Sequence, residues 1–569
     1  MDRLASLPGV DQELLKEVRD IVQHGVRAAF KGAERPPPRQ YANTATFERN
    51  RGECMERMRV YADLDAVRKL SEPPPPGGYS YVQPLHAIIK PGKKARVCVD
   101  LSRNFNDFLE DKPFQYSSVR AGVDLASQCT GAAYMVKLDI SACFLSFPIH
   151  PDDLQFFICQ AGGDFYQFLR MVFGLKTAPR IASLLLDVVS SALADQGIAH
   201  VRYLDDFLLV ASSAERAWLC AHRAAETLVA FGLALAPDKV EGPATLLEFL
   251  GIIIDSELET LSISAARHDE LMDLLRDFLK RRWSSVRRLQ SLLGKLAFAA
   301  TVLPGARPFT RRIIDRICDR GDGQRVALDS AFRADVSYWA THLAQWNGKE
   351  RWRAPTSTPF VFGSDASTSG FAFGLESCPA EALFRLPVDR RPGHISCGLW
   401  SAENGDALRQ STSAAIQWGE FFCPLAAAVA YGPLLADAHV VFVIDNNSDV
   451  SVINRLRSRE PRVAALLRAL CDPVRVYNFS FTAVHRSGED NTLMDWASRP
   501  DLHLFRGSPS AFQCESAPPA VVGGGGGGVP AASFPPLTAP TSLTYINSRC
   551  LKLNASASSA SWTGTFGGW

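Results

Sequence analysis

The chain has almost no excess of charge: Lys and Arg total 61 against 60 Asp and Glu, a formal net charge of +1. That balance gives no chain-wide attraction for a polyanion, so any basic surface must be local. None of the 13 cysteines stands in a Cys-x-x-Cys pair, and their number is odd. Such scattered thiols fit a reduced state and argue against a disulfide framework or a zinc site. Long hydrophobic runs are missing too. The most apolar window, Pro424 to Ile444, is broken by Gly432-Pro433, Asp437 and His439. It reads as the end of a buried helix followed by a strand, not as a membrane span. No basic-then-apolar leader opens the chain, so the expected setting is intracellular, cytoplasmic or nuclear, with no membrane. No internal repeat is visible. What remains, 47% hydrophobic and 21% charged residues over 569 positions, is ordinary globular composition with room for two to four domains.

Proline and glycine punctuate the chain. Residues 1–70 read as helical and charged, broken at Arg35-Pro36-Pro37-Pro38, and carry no motif with a chemical meaning. Glu72 to Gly78, with four consecutive prolines, is a stiff linker. Across 71–260, strand patterns alternate with helical ones. The pattern turns helical over 261–355, with Leu271, Leu274, Leu275 and Phe278, then Leu289, Leu292, Leu293 and Leu296 at helical spacing. Here lies the one local basic region: Lys280 to Arg325 holds twelve Lys and Arg against three Asp. Pro355 to Pro359 marks the next boundary, and 356–500 form another α/β unit. Residues 501–569, including Gly523 to Gly528, have the composition of a disordered tail. The fold class expected is α+β and α/β, in several domains.

The chemistry centres on Val201-Arg202-Tyr203-Leu204-Asp205-Asp206-Phe207-Leu208-Leu209-Val210. Two apolar runs flank adjacent aspartates, the pattern of a β-hairpin with carboxylates at its tip. Read alone, Asp-Asp is a solvated turn. A second strand changes that reading. In Tyr134 to Ile140, Val136, Leu138 and Ile140 share one face while Lys137 and Asp139 share the other. Three carboxylates on two core strands suit hard divalent cations, and two such ions can clamp the attacking and leaving oxygens of a phosphoryl transfer.

Tyr203-Leu204-Asp205-Asp206 resembles the YxDD box of reverse transcriptases, and Leu138-Asp139-Ile140 their first aspartate motif. Other boxes follow in that family's order. Arg96-Val97-Cys98-Val99-Asp100-Leu101, headed by Lys90-Pro91-Gly92-Lys93-Lys94, resembles the fingers loop that grips the incoming triphosphate; the resemblance gives Arg96 that role, with Lys90 or Lys93 as its lysine. Phe144, five residues after Asp139, matches the steric gate that leaves no room for a 2′-hydroxyl. Phe173-Gly174-Leu175-Lys176-Thr177-Ala178-Pro179 is similar to the next box, whose glycine lets the backbone approach template and nucleotide. Pro237-Asp238-Lys239 resembles the box whose lysine lies near the leaving pyrophosphate, and Phe249-Leu250-Gly251-Ile252 the hairpin that grips the primer end. Any single box is also what a core ring, loop or turn would look like.

A second set of acids follows. Phe360 to Gly374 reads as a hairpin with Asp365 at the end of its first strand, and Val440 to Asp445 as a buried strand ending in an acid. Glu420 falls in the helical run Ser413 to Ala430, and Asp495 follows the helix start Asn491-Thr492. An isolated acid at such places is usually a cap. In the order Asp, Glu, Asp, Asp the four resemble an RNase H active site, and His485 matches the mobile histidine of many members of that family.

Together the resemblances imply a right-hand polymerase of fingers, palm and thumb followed by an RNase H-like domain, as in a retroelement polyprotein. Leu289-Gln290-Ser291-Leu292-Leu293-Gly294-Lys295-Leu296 is similar to DIRS-like and related LTR elements. They imply Mg2+ or Mn2+, two ions per active site, held by Asp139, Asp205 and Asp206 and by Asp365, Glu420, Asp445 and Asp495. They imply dNTPs, an RNA template, a DNA primer and the RNA/DNA hybrid as partners, bound along the basic helices through phosphates. No Asp-Ser/Thr-Gly protease box and no HHCC zinc pattern is found. The alternative is a domesticated nucleic-acid-binding copy, or one in which only the RNase H part works.

Overall fold

The computed structural model describes residues 12–75, 80–90, 92–349, 352, 358–409 and 413–499. The tail expected at 501–569 and parts of both proline-marked boundaries (76–78 and 355–357) lie outside the described residues. The chain divides into two compact units between Glu259 and Thr260, both mixing helix and sheet.

The first unit is built on a four-stranded antiparallel sheet, in the order His200–Tyr203, Asp206–Ala211, Tyr134–Asp139, Glu241–Ala244. Tyr134–Asp139 is buried on both faces, Met135 and Asp139 as well as Val136 and Leu138. Val136, Leu138 and the following Ile140 enter a core with Leu186, Val189, Phe207, Leu209 and Leu228. That core is closed by the helices Ala178–Asp195 and Ala214–Ala230. Both start where the sequence provides a stop for the preceding chain: Pro179 sits in the first turn of one, and the Ser213 hydroxyl accepts from the Arg216 amide at 3.2 Å to cap the other. Asp206–Ala211 is covered on its other face as well, where the helix Val119–Ser127 brings Gly122 against Leu208. A strand buried on both sides has little freedom to slip, and it carries Asp206 at its first position.

A second core in this unit joins Phe47, Tyr61, Phe105, Phe157 and Phe168 beneath the hairpin Leu85–Lys90/Lys93–Val99. The expected hairpin at Phe249 to Ile252 is present: Leu246–Phe249 pairs with Ile252–Asp255. Leu250 and Gly251 form the two-residue turn, both at positive φ (53° and 85°).

In the second unit the leucine-rich stretches are the helices Ala265–Lys280 and Val286–Ala299. Leu271, Leu275, Phe278, Leu289, Leu292 and Leu296 are buried, so the expected helical face is the core face. Of the twelve cations between Lys280 and Arg325, six are consumed in ion pairs. Arg281 and Arg288 share Asp277, while Lys295, Arg311, Arg312 and Arg316 meet Glu270, Asp315, Asp335 and Asp329. The basic surface is therefore smaller than the sequence count, resting on residues such as the exposed Lys280, Arg282 and Arg287.

The helix Ser330–Trp346 packs toward the helix Pro461–Tyr477. Asp335, buried at 1% exposure, takes a 2.7 Å hydrogen bond from Arg312 and lies 3.8 Å from Arg468. Arg468 also stands over the Phe309 ring, which stacks on Tyr338 at 3.4 Å. The rest of the unit is a five-stranded sheet in the order Ile395–Leu399, Gly370–Ser377, Phe360–Ala366, His439–Ile444, Ser480–His485. The first three strands are antiparallel neighbours and the last two run parallel to Phe360–Ala366. The apolar window ending at Ile444 is, as expected, a helix (Ser413–Tyr431) and then a strand. Among the described residues no helix is long and apolar enough to cross a membrane.

Candidate active sites

The sheet of the first unit sets three carboxylates at one end. Asp139 is the last residue of its strand and is the register partner of Asp206. Tyr203 pairs with Asp206 across a two-residue turn, which leaves Asp205 in the turn itself and puts Leu204 at φ +52°. Leucine in that region is disfavoured by contact of its Cβ with the backbone, and the hairpin is held there by neighbours. The Ile140 amide donates to the Asp205 carbonyl at 3.0 Å, and the Ala236 amide to the Asp139 carbonyl at 3.0 Å.

Crowding shows in the acidities. Burial, and then the charges of Asp205 and Asp139, push Asp206 up to about 6. Burial also raises Asp205, with Asp139 adding to the rise and Lys239 and Arg96 opposing it. Lys239 donates to Asp139 Oδ1 at 2.7 Å, and that bond pushes the lysine's own pKa up. Arg96 lies over the Phe173 ring at 5.2 Å, and Phe173 meets Phe144 at 5.1 Å. Tyr203 packs on Tyr116 at 4.8 Å. The structure thus gathers Asp139, Asp205, Asp206, Lys239, Arg96, Phe173, Phe144 and Tyr203. Lys90 is different: it is exposed at the hairpin tip opposite Lys93, and no hydrogen bond or ion pair joins it to the acids.

Gly174 has a local reason to be glycine. Its φ is +110°, and a Cβ there would stand 1.9 Å from the Val99 carbonyl oxygen. The close approach that the sequence suggested toward a substrate is met here by the strand Lys93–Val99, with Val99 N–H donating to the Phe173 carbonyl at 2.9 Å.

The second set of acids meets at one edge of the five-stranded sheet. Gly363 and Val443 are parallel partners, so Asp365 and Asp445, each two residues on, end at the same level. Glu420 reaches in from Ser413–Tyr431, and Asp495 from the short helix Thr492–Ala497 that follows Asn491. Burial, then Asp445, pushes Glu420 up to about 8. Burial pushes Asp365 up to about 6, with the Ser498 hydroxyl opposing and Asp445 and Asp495 adding to the rise. Asp445 is raised by burial, its backbone amide and Asp365 pulling the other way. His485 Nε2 is 3.0 Å from the Asp445 carbonyl oxygen.

Two participants escaped sequence reading. Asp449, four residues after Asp445, is fully buried, and burial pushes it up to about 7 with a side-chain hydrogen bond from Gln417 opposing. Its four-residue spacing from Asp445 was the available signal. Ser498, three residues after Asp495, is fully buried and donates to Asp365 Oδ2 at 2.5 Å.

The donor sets suit divalent cations. Glu420 Oε2 and Asp445 Oδ1 are buried without a hydrogen-bond partner, and carboxylate oxygens are the ligands that Mg2+ and Mn2+ take. Among the described residues no three acidic, His or Cys side chains form a ready-made cage; like charges without a counter-ion do not close up.

Residues 88–254 match the family described as reverse transcriptase (RNA-dependent DNA polymerase), and a domain of that type occupies this stretch. Protein P of heron hepatitis B virus is 25% identical over 199 residues, 35% of this chain and 24% of that protein. The Gag-Pro-Pol polyprotein of squirrel monkey retrovirus is 29% identical over 119 residues, 19% of this chain and 6% of that one. The chain therefore spans a quarter or less of the length of these relatives. A foamy viral protease–reverse transcriptase solved with double-stranded DNA covers 85% of this chain and 81% of its own, at 15% identity and a TM-score of 0.49. The family match and the mixed α/β architecture agree with the right-hand polymerase class. Asp365, Glu420, Asp445, Asp495 and His485 lie outside the matched residues.

Proposed function

We propose that the chain is an RNA-directed DNA polymerase with ribonuclease H activity, of the kind that copies a retroelement. The observation that carries the polymerase half is the pairing of Asp139 with Asp206, with Asp205 in the adjoining turn, inside the matched stretch. Asp139, Asp205 and Asp206 would hold two Mg2+ or Mn2+ ions, which supply charge stabilisation to the attacking 3′-oxygen and the leaving pyrophosphate when bound. Arg96 and Lys239 stand where cationic groups can meet the triphosphate of a dNTP. Phe144, braced by Phe173, offers a ring for the sugar to rest on.

For the second half, Asp365, Glu420, Asp445 and Asp495 are the residues that would hold the metals for cutting the RNA strand of an RNA/DNA hybrid. His485 stands beside them. An RNA template and DNA primer would follow the exposed cations of the helical stretch, with salt-sensitive affinity. The DIRS-like or LTR assignment rests on Leu289 to Leu296, a stretch whose leucines serve the core. Primer extension on an RNA template, beside RNA-strand cleavage of a hybrid, with the same preparation and Mg2+, tests both halves. Extension without cleavage leaves a polymerase; cleavage alone leaves a nuclease; neither leaves a binding protein.

A further inference from the structure

Asp365 is buried at the edge of the sheet with Glu420, Asp445 and Asp495 around it. Ser498 Oγ donates to Oδ2 at 2.5 Å from a fully buried position. The same oxygen lies 2.9 Å from the Asp495 carbonyl. A hydroxyl has one proton, and the shorter, charge-assisted contact takes it. Resting on the reading of the second site as a metal-dependent nuclease, we propose that Ser498 is a positioning residue for it. Its hydroxyl holds Asp365 Oδ2 and so presents Oδ1 to the divalent cation.

The surroundings of Ser498 are built to hold it still. Its carbonyl accepts from Ser367 Oγ at 2.6 Å, and Ser367 Oγ accepts in turn from the amides of Ser369 and Gly370, each at 3.1 Å. Its amide donates to the Met494 carbonyl at 2.9 Å. At the other end of the helix Thr492–Ala497, Asn491 Nδ2 donates to the Ser364 carbonyl at 3.0 Å. The helix that carries Asp495 is therefore pinned at both ends to the strand that carries Asp365. Asn491 and Ser367 each donate from a side chain to a backbone carbonyl. Ser498 alone of the three aims its side chain at a carboxylate, and partners of a metal-binding carboxylate orient it and tune its affinity.

The test is a titration of the full chain with Mn2+ alone, followed by electron paramagnetic resonance, in an Asp205→Asn/Asp206→Asn background that silences the first site. Mg2+ dependence of RNA-strand cleavage in a hybrid is measured alongside. Ser498→Ala weakens Mn2+ binding about 10-fold and shifts the Mg2+ requirement by a similar factor. Ser367→Ala, which removes a hydrogen bond of comparable length without touching Asp365, lowers the melting temperature but moves the metal curve less than about threefold. If Ser498→Ala melts too low to titrate, Ser498→Cys, nearly the same in size and a poor donor, shifts the curve the same way. An unchanged curve in Ser498→Ala or Ser498→Cys, or equal shifts in Ser498→Ala and Ser367→Ala, overturns the inference alone, provided the wild-type chain cleaves. Absence of wild-type cleavage together with an Asp365→Asn curve identical to its parent overturns both the inference and the nuclease reading.

Discussion

Replacing Glu420 with Gln removes a group that the fold keeps protonated at neutral pH. Burial, then Asp445, pushes its carboxyl up to about 8 from the ordinary 4.5. Between those two values the folded protein holds a proton that the unfolded chain has released, so stability in EDTA falls as pH rises from about 5 to about 8 and levels off beyond. Taken alone the gap corresponds to roughly 5 kcal/mol. Glu420 shares its charge balance with Asp445 and Asp365, so the portion lost on removing it is smaller, on the order of 2 kcal/mol. Glu420→Gln should therefore match the wild type near pH 5 and exceed it by about 2 kcal/mol near pH 9. Urea unfolding from pH 5 to 9 in EDTA, read by tryptophan fluorescence, measures this; Trp400 and Trp418 pack within 5.5 Å of each other in the same unit. Mg2+ should restore the wild type at high pH and do little for the variant. A wild-type curve that stays flat or rises across the window, or a Gln curve running parallel to it, would refute the reasoning.

Asp206→Asn should lower DNA synthesis at least about 100-fold while RNA-strand cleavage persists, because its carboxylate serves only the first site; parallel loss in both assays would contradict that. Phe144→Ala should admit ribonucleotides, seen as a fall in the ratio of dNTP to rNTP incorporation, and an unchanged ratio in a folded variant would make Phe144 a core ring only. Gly174→Ala should cost about 3 kcal/mol or more in chemical denaturation, since φ +110° and the 1.9 Å approach to Val99 must both be relieved.

Much of this was written locally. The two apolar runs around Asp205-Asp206 and the helix start at Asn491-Thr492 are short-range signals, and each appears where the sequence puts it. Partners set by tertiary contact were not legible. The Val99 carbonyl that forbids a side chain at Gly174 comes from a distant strand. Lys239 could be suspected near the phosphates, but its bond to Asp139 depends on how the Pro237–Lys239 turn returns to the sheet. The cation count of Lys280 to Arg325 overstated the free basic surface, because Glu270, Asp277, Asp315, Asp329 and Asp335 neutralise half of it. Ser498 carried no signal of its own in the sequence, and only the fold shows which oxygen its hydroxyl meets.

The buried Asp335–Arg468 contact has a practical consequence for dissecting the protein. Cutting the chain at the proline-marked boundary near 355 would release the five-stranded sheet without the helix that carries Asp335. Arg468, with only 14% of its side chain exposed in the whole unit, would then lose both its counter-charge and its cover, and the apolar surface packed against Phe309 would lie bare to water. The cost is the lost apolar burial together with the lost ion pair, and newly bared apolar surface favours aggregation. A fragment meant to be studied in isolation should begin before Thr260, so that the helices travel with the sheet. Shorter pieces should be recovered mainly from the insoluble fraction.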